Sequence, residues 1–248
     1  MGGRLDAVNS VDADVAVVTN IGLDHTEWLG GEREAISREK AGIFRLGRPA
    51  VCADPEPPAS LLAAARDCDA ALHLIGRDFH IDCHEDGRWS WRSGETRYSD
   101  LPPPALPGDF QLRNAAAALA ALHFGPLTPP REAVADGLAR VSLPGRFQRL
   151  SVSPEVVVDV AHNPESAAAL AALIAAMPAA GRTVAVFAAL GDKEIEGIVA
   201  PLADCFDGWH VAGLPGIARA LPAAELAGRI TPCVGAPVTV CADVDDAL

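Results

Sequence analysis

The chain has 248 residues, half of them apolar, which is enough to bury the core of one large domain or of two ordinary ones. Its 20 Lys+Arg stand against 33 Asp+Glu, a formal charge of −13, and this excludes a basic surface for nucleic acid or anionic membrane spread over the whole molecule. Any anionic ligand must therefore meet a local cluster of cations, and only Lys40 and Lys193 among those 20 are lysines.

Six cysteines (Cys52, Cys68, Cys83, Cys205, Cys233 and Cys241) include no C-x-x-C pair, in a chain too long to need a disulfide scaffold; this predicts reduced thiols and a cytoplasmic location. The first 25 residues carry five charged side chains and no apolar run of signal-peptide length. The greasiest helical stretch, Ala167 to Met177, meets Pro178 well short of the roughly 20 residues a membrane span needs.

In chain order, Val15–Thr19 and Pro49–Cys52 read as buried strands, each followed by a helix, near 32–41 and 58–67. The period then changes. Phe79–Cys83 and Trp89–Arg92, joined through Glu85-Asp86-Gly87, predict a hairpin with Asp-Gly as its turn. A proline-rich stretch, Leu101–Gly108, leads into an apolar helix over Phe110–Phe124, and a shorter helix follows Pro130. Ser142-Leu143-Pro144-Gly145-Arg146 breaks the helical period, so a domain boundary is expected there, giving domains of 1–143 and 144–248. Beyond it, Val156–Val160, Thr183–Phe187, Gly208–Ala212 and Pro237–Cys241 alternate with helices near 164–177, 193–206 and 222–229. That alternation predicts one parallel sheet covered by helices. The chain opens without a strand and stops where a helix would begin, as if both ends were cut from something longer.

Several segments combine chemistry with position. Thr19-Asn20-Ile21-Gly22-Leu23-Asp24-His25 follows a buried strand, and ligands in open α/β sheets bind beyond the carboxyl ends of strands. The same residues would also serve as a loop that bonds its own backbone. In Ser37-Arg38-Glu39-Lys40-Ala41-Gly42, Gly42 suits a left-handed residue after a helix and Lys40 a cation in its last turn. The functional alternative brings Lys40 toward His25. In Asp159-Val160-Ala161-His162-Asn163-Pro164-Glu165, capping explains Asn163, Pro164 and Glu165, whereas Asp159 and His162 fall at the strand end where a ligand would lie. Arg146 in Pro144-Gly145-Arg146 can reach a phosphate or be a solvated turn residue, and Lys193 after a strand stands between the same alternatives. His80, Cys83 and His84 suggest zinc, but on a strand His80 and Cys83 face opposite sides. A G-x-x-x-x-G-K-[ST] loop is absent, since Lys40 follows Glu39 and Lys193 follows Asp192.

In order, the stretches at 2–9, 19–25, 38–44, 111–118, 144–146 and 159–164 resemble the folylpolyglutamate synthase/dihydrofolate synthase family, the folate branch of the Mur ligase superfamily. The resemblance implies an α/β protein: the remnant of a P-loop-type central domain, its phosphate loop lying upstream, followed by a smaller Rossmann-like C-terminal domain. It implies ATP- and magnesium-dependent joining of L-glutamate to dihydropteroate or a folate through an acyl phosphate, in a monomer without nucleic-acid or membrane partners. Carried over by motif, His25 and a carbamylated Lys40 would hold magnesium and act in catalysis, and His162 would support catalysis from beside the nucleotide. Asn114, Arg146, Asp159 and Lys193 would meet the nucleotide, and Arg4, Leu5 and Asp6 the pterin-bearing substrate. A muramoyl-peptide ligase is a second enzyme reading, against which the Ile-Gly-Leu-Asp-His wording speaks. A non-catalytic remnant that binds nucleotide weakly is a third, supported by the missing loop.

Overall fold

The computed structural model describes residues 3–4, 6–22, 32–177 and 181–248. The chain divides into two compact units, Met1–Leu143 and Pro144–Leu248.

The first unit is built on a parallel sheet of β1 (Ala16–Val18), β2 (Pro49–Cys52) and β3 (Ala71–Leu74), in that order. Parallel strands need crossovers, and α1 (Arg33–Lys40) and α2 (Ala59–Asp67) supply them. The central strand is buried on both faces, as its continuous apolar run requires. Ala50 and Cys52 join Ile36, Leu61 and Ala65 beneath α1 and α2, whereas Val51 points to the opposite core. That second core holds Phe79, Trp89, Trp91 and Leu101 against Ala116 and Ala120 of α3 (Asp109–Phe124). Its far side is an antiparallel sheet of β4 (His80–Cys83), β5 (Trp89–Ser93) and β6 (Thr96–Leu101), and α4 (Arg131–Arg140) follows α3. The Asp86-Gly87 turn closes β4 on β5 with Gly87 at φ 81°. The third strand, β6, was not expected. A register shift between Trp89 and Trp91 and a left-handed Asp100 (φ 55°) put its inward residues, Tyr98 and Leu101, three apart rather than two or four, which hides the alternation.

Helix α1 carries few apolar side chains, and one of its two buried residues is Ser37, whose Oγ meets no hydrogen-bond partner among the described residues. A buried hydroxyl without a partner costs free energy, and alanine is also the better helix former. Ser37→Ala is expected to stabilise the first unit by roughly 0.5–2 kcal/mol, read as a higher denaturant midpoint; a lower midpoint would show that the hydroxyl is satisfied.

The second unit opens with an antiparallel pair, β7 (Gln148–Val152) and β8 (Glu155–Val158). A separate parallel sheet runs in the order β11 (Val238–Cys241), β10 (Gly208–Ala212), β9 (Val184–Phe187). This corrects the expectation that the valine-rich strand near 156–160 joins the same sheet as the three that follow. Its hydrogen bonds go to β7, and it ends at Val158 because Asp159 turns the chain. Helices α5 (Pro164–Ala175), α6 (Ile195–Val199) and α7 (Ala223–Ile230) pack one core with Ala185, Trp209 and Val211. The helix expected over 193–206 is shorter, since Pro201 enters a 3-10 turn, Ala200–Leu202, where its missing N–H would break an α-helix. A short α8, Val244–Ala247, follows β11, and its Ala247 packs on Ala212 and Cys241. No helix of the described residues is long and apolar enough to cross a membrane.

Candidate active site

Lys40 is the last residue of α1, and besides the buried Ile36 polar bonds hold that helix at three points. At its start, Arg33 donates from Nε to the Ile21 carbonyl at 2.8 Å and from Nη2 to Asp54 Oδ2 at 2.8 Å. One residue on, the Glu34 carboxylate accepts the backbone N–H groups of Ala59 (3.1 Å) and Ser60 (2.8 Å). It thereby caps α2, whose own N-cap, Pro58, offers no side chain for the purpose. The Ser60 hydroxyl and amide, the Ala59 amide and nearby Arg38 hold the Glu34 carboxyl below the usual carboxylate range.

At the other end, Arg4 grips Glu39 with Nε (3.1 Å) and Nη2 (2.7 Å), which pulls the Glu39 carboxyl down in the same way. The cation expected to meet substrate is thus already paired with a carboxylate. Asp6 is likewise engaged, accepting the Val8 amide at 3.0 Å to start a 3-10 turn. Gly42 does not take the left-handed conformation expected of it; it lies within a 3-10 turn, Ala41–Ile43, that continues α1. Its smallness serves close approach instead, because a Cβ there would stand 2.5 Å from Arg4 Cγ and 3.0 Å from Arg4 Cα.

In the second unit the motif residues converge on one turn. Asp159 accepts the Phe147 amide on Oδ2 and the Ala161 amide on Oδ1, both at 2.8 Å. The Val160 amide donates to the Gly145 carbonyl at 2.9 Å, and the Gly145 amide to Gln148 Oε1 at 3.0 Å. These bonds stabilise two left-handed residues, Gly145 (φ 69°) and Phe147 (φ 45°), on either side of Arg146. Gly145 has a second constraint, since a Cβ would meet Val160 Cγ1 at 2.6 Å. His162 follows directly, with Nδ1 2.9 Å from the Val160 carbonyl oxygen.

Asn163 then caps α5 by accepting the Ser166 amide at 2.8 Å, with Pro164 in the first turn. Lys193 lies in the loop after β9, fastened to the loop after β10 by Arg219, which reaches Asp192 Oδ2 at 2.7 Å. Just beyond Lys193, Gly197 of α6 leaves room for Pro164 at the start of α5; a Cβ would stand 2.9 Å from the Pro164 Cγ.

The structure therefore brings Arg146, Asp159 and His162 together. It does not gather the first-unit residues into one cluster: Lys40 is on α1, while Asn114, whose amide bonds Gln111 Oε1 at 3.1 Å, is on α3 across the sheet. His25 and Leu5 lie outside the described residues. Sequence reading missed Asp54, a carboxylate only 4% exposed, whose single signal was its place just past a buried strand.

For magnesium the donor set decides. As an ammonium Lys40 cannot ligate, but as a carbamate it presents the hard oxygens that this cation prefers. Among the described residues no group of three or more His, Cys, Asp or Glu is placed to hold a metal ion, and His80, Cys83 and His84 form no such group. Lys40 thus fits magnesium only in modified form and with ligands from outside the described residues.

Known proteins show which class carries this turn and these helices. Residues 145–248 match the family model of the Mur ligase, glutamate ligase domain. Over 216 residues, 87% of the chain, the sequence is 46% identical to the dihydrofolate synthase/folylpolyglutamate synthase of Escherichia coli strain K12, covering 50% of that protein. The structure of E. coli FolC in complex with DHPP and ADP matches the whole chain with a TM-score of 0.84 at 39% identity, with 63% of that structure covered. A bifunctional folylpolyglutamate synthase/dihydrofolate synthase with Mn, AMPPNP and L-glutamate bound matches with a TM-score of 0.86 at 42% identity, with 57% covered. Over 87% of its length the chain is thus similar to a dihydrofolate synthase/folylpolyglutamate synthase, and it spans about half the length of that E. coli relative.

Proposed function

We propose that this chain carries part of a cytoplasmic, ATP-dependent ligase that joins L-glutamate to dihydropteroate or a reduced folate. ATP phosphorylates the pteroyl carboxylate, and the glutamate amine displaces phosphate from the resulting acyl phosphate. The supporting observation is the clamped turn of the second unit, which holds Arg146 by bonds from both sides in a chain 46% identical to such an enzyme.

Phosphoryl transfer asks a protein mainly for placement and for neutralisation of developing negative charge. Arg146, with five N–H donors, would meet nucleotide phosphate, and its turn does not have to be ordered at the moment of binding. Asp159 would set that turn and face the ribose, and His162 would support the same site. Lys193 would bring a second cation to the phosphates or to the incoming glutamate, and Asn114 would recognise the adenine. Arg4, Leu5 and Asp6 would border the pterin. Carbamylated Lys40 and His25 would hold magnesium, which supplies further charge neutralisation when bound.

The test is ADP release from the complete gene product, given ATP, glutamate and magnesium with either dihydropteroate or a reduced folate. Release that requires both glutamate and a pteroyl substrate is expected. No release with either substrate sinks the ligase reading and favours weak nucleotide binding without turnover.

A further inference from the structure

Asp54 stands two residues beyond β2 and is the one buried charged residue among the described residues. Its Oδ2 accepts the Ile21 amide at 2.9 Å and Arg33 Nη2 at 2.8 Å, while Oδ1 accepts the Glu56 amide at 3.0 Å. Arg33 completes the node through the Ile21 carbonyl (2.8 Å) and the Glu56 carbonyl (3.2 Å). One carboxylate thus ties together the segment leaving β1, the segment leaving β2 and the first residue of α1.

An ion pair of this kind is a poor source of net stability, because desolvation offsets most of its attraction, and apolar replacements of similar size are often as stable or more so. What it does supply is geometry. The segment 22–32, in which the sequence places Asp24 and His25, begins and ends next to residues held by this one side chain. The helix that Arg33 starts ends seven residues later at Lys40, about 10 Å along its axis.

We infer that Asp54 is a positioning residue for the lysine-bearing helix: it fixes the start of α1 against the end of β1, and with it the site at which Lys40 acts. The inference rests on the proposed role of Lys40, but the geometry can be tested separately.

Because the chain holds only two lysines, reductive methylation with ¹³C-formaldehyde gives two lysine side-chain NMR signals, and Lys40→Arg assigns them. Lys193, in the other unit, is the internal control. In Asp54→Asn, which keeps the shape but loses the charge and one acceptor, the Lys40 signal is expected to shift or broaden while the Lys193 signal stays in place. Amide exchange at Ile21 should speed up by about ten-fold, the equivalent of one hydrogen bond to a charged group.

Arg33→Gln should reproduce the pattern from the other partner, which guards against a variant that fails to fold. Asp54→Glu, which keeps both acceptors, should restore the Lys40 signal in part. An unmoved Lys40 signal with unchanged Ile21 exchange would overturn the inference, as would equal shifts of both lysine signals, which would report general loosening. ¹³C-bicarbonate added to the unmethylated chain tests the underlying reading: absence of a carbamate resonance that Lys40→Arg removes would discard the role of Lys40 and leave the positioning result standing.

Discussion

Replacing Lys40 by arginine is expected to abolish glutamate ligation by the complete gene product, with turnover lowered at least about a hundred-fold, the scale seen when one charge-stabilising group is removed from a transition state. The reason is chemical rather than electrostatic. A neutral primary amine adds to carbon dioxide, forming one C–N bond and releasing one proton, and leaves an anionic carbamate with two oxygen donors. A guanidinium stays protonated at any working pH and cannot do this, so arginine keeps the charge of the lysine and loses its chemistry. Lys40 is half-buried, its neighbour Glu39 is committed to Arg4, and the helix is held at its start by Asp54 and Glu34, so the substitution has little else to disturb. The measurement is turnover with and without bicarbonate. The parent enzyme should gain activity with bicarbonate and Lys40→Arg should show none to gain. Wild-type turnover in the variant would refute the carbamate role.

The residues of this site differed in how much of their role the sequence disclosed, and the difference follows the range of the interactions. Asn163 was legible as a cap because its partner, Ser166, lies three residues away, and the β4–β5 hairpin was legible from Asp86-Gly87. Strands β1, β2, β9, β10 and β11 announced themselves as short apolar runs. Strand β3, Ala-Leu-His-Leu, has a histidine in its run and no β-branched residue, and β7, with Arg149 and Ser151 in its five residues, lacked a run. The structural role of Asp159 was half visible: its place at a strand end is local, yet the partner that turns the chain there, Phe147, is twelve residues upstream. Asp54 gave only its place past a strand, since its bonds to Ile21 and Arg33 reach 33 and 21 residues back and no local pattern encodes them. Gly42 shows the same limit. Sequence suggests backbone conformation for a glycine after a helix, whereas the constraint is a neighbour, Arg4, brought there by Glu39.

Trp91→Ala is the substitution expected to cost the first unit most. The indole is fully buried, with ring centroids 6.4 Å from Phe79, 5.9 Å from Tyr98 and 5.3 Å from His123, and its Nε1 donates to the Ala116 carbonyl at 3.1 Å. It therefore joins three elements, β5, β6 and α3, and its core continues through Val51 into the parallel sheet. Truncation removes the transfer energy of the ring and leaves a cavity that two sheets and a helix cannot collapse to fill, a loss of about 3–5 kcal/mol. For a unit of this size that corresponds to a fall in melting temperature of roughly 10–20 °C. The lost contact also frees the face of α3 one half-turn beyond Asn114, so, given the role proposed for Asn114, a fluorescent adenine nucleotide should bind the complete gene product more weakly even below the melting point. Trp91→Phe, which keeps an aromatic ring and gives up the Nε1 bond, should recover most of the stability. Calorimetry of the two variants decides the point: the transition of the first unit should move and that of the second, whose core is built around Trp209, should stay. A single transition shifted as a whole would show instead that the two units unfold together.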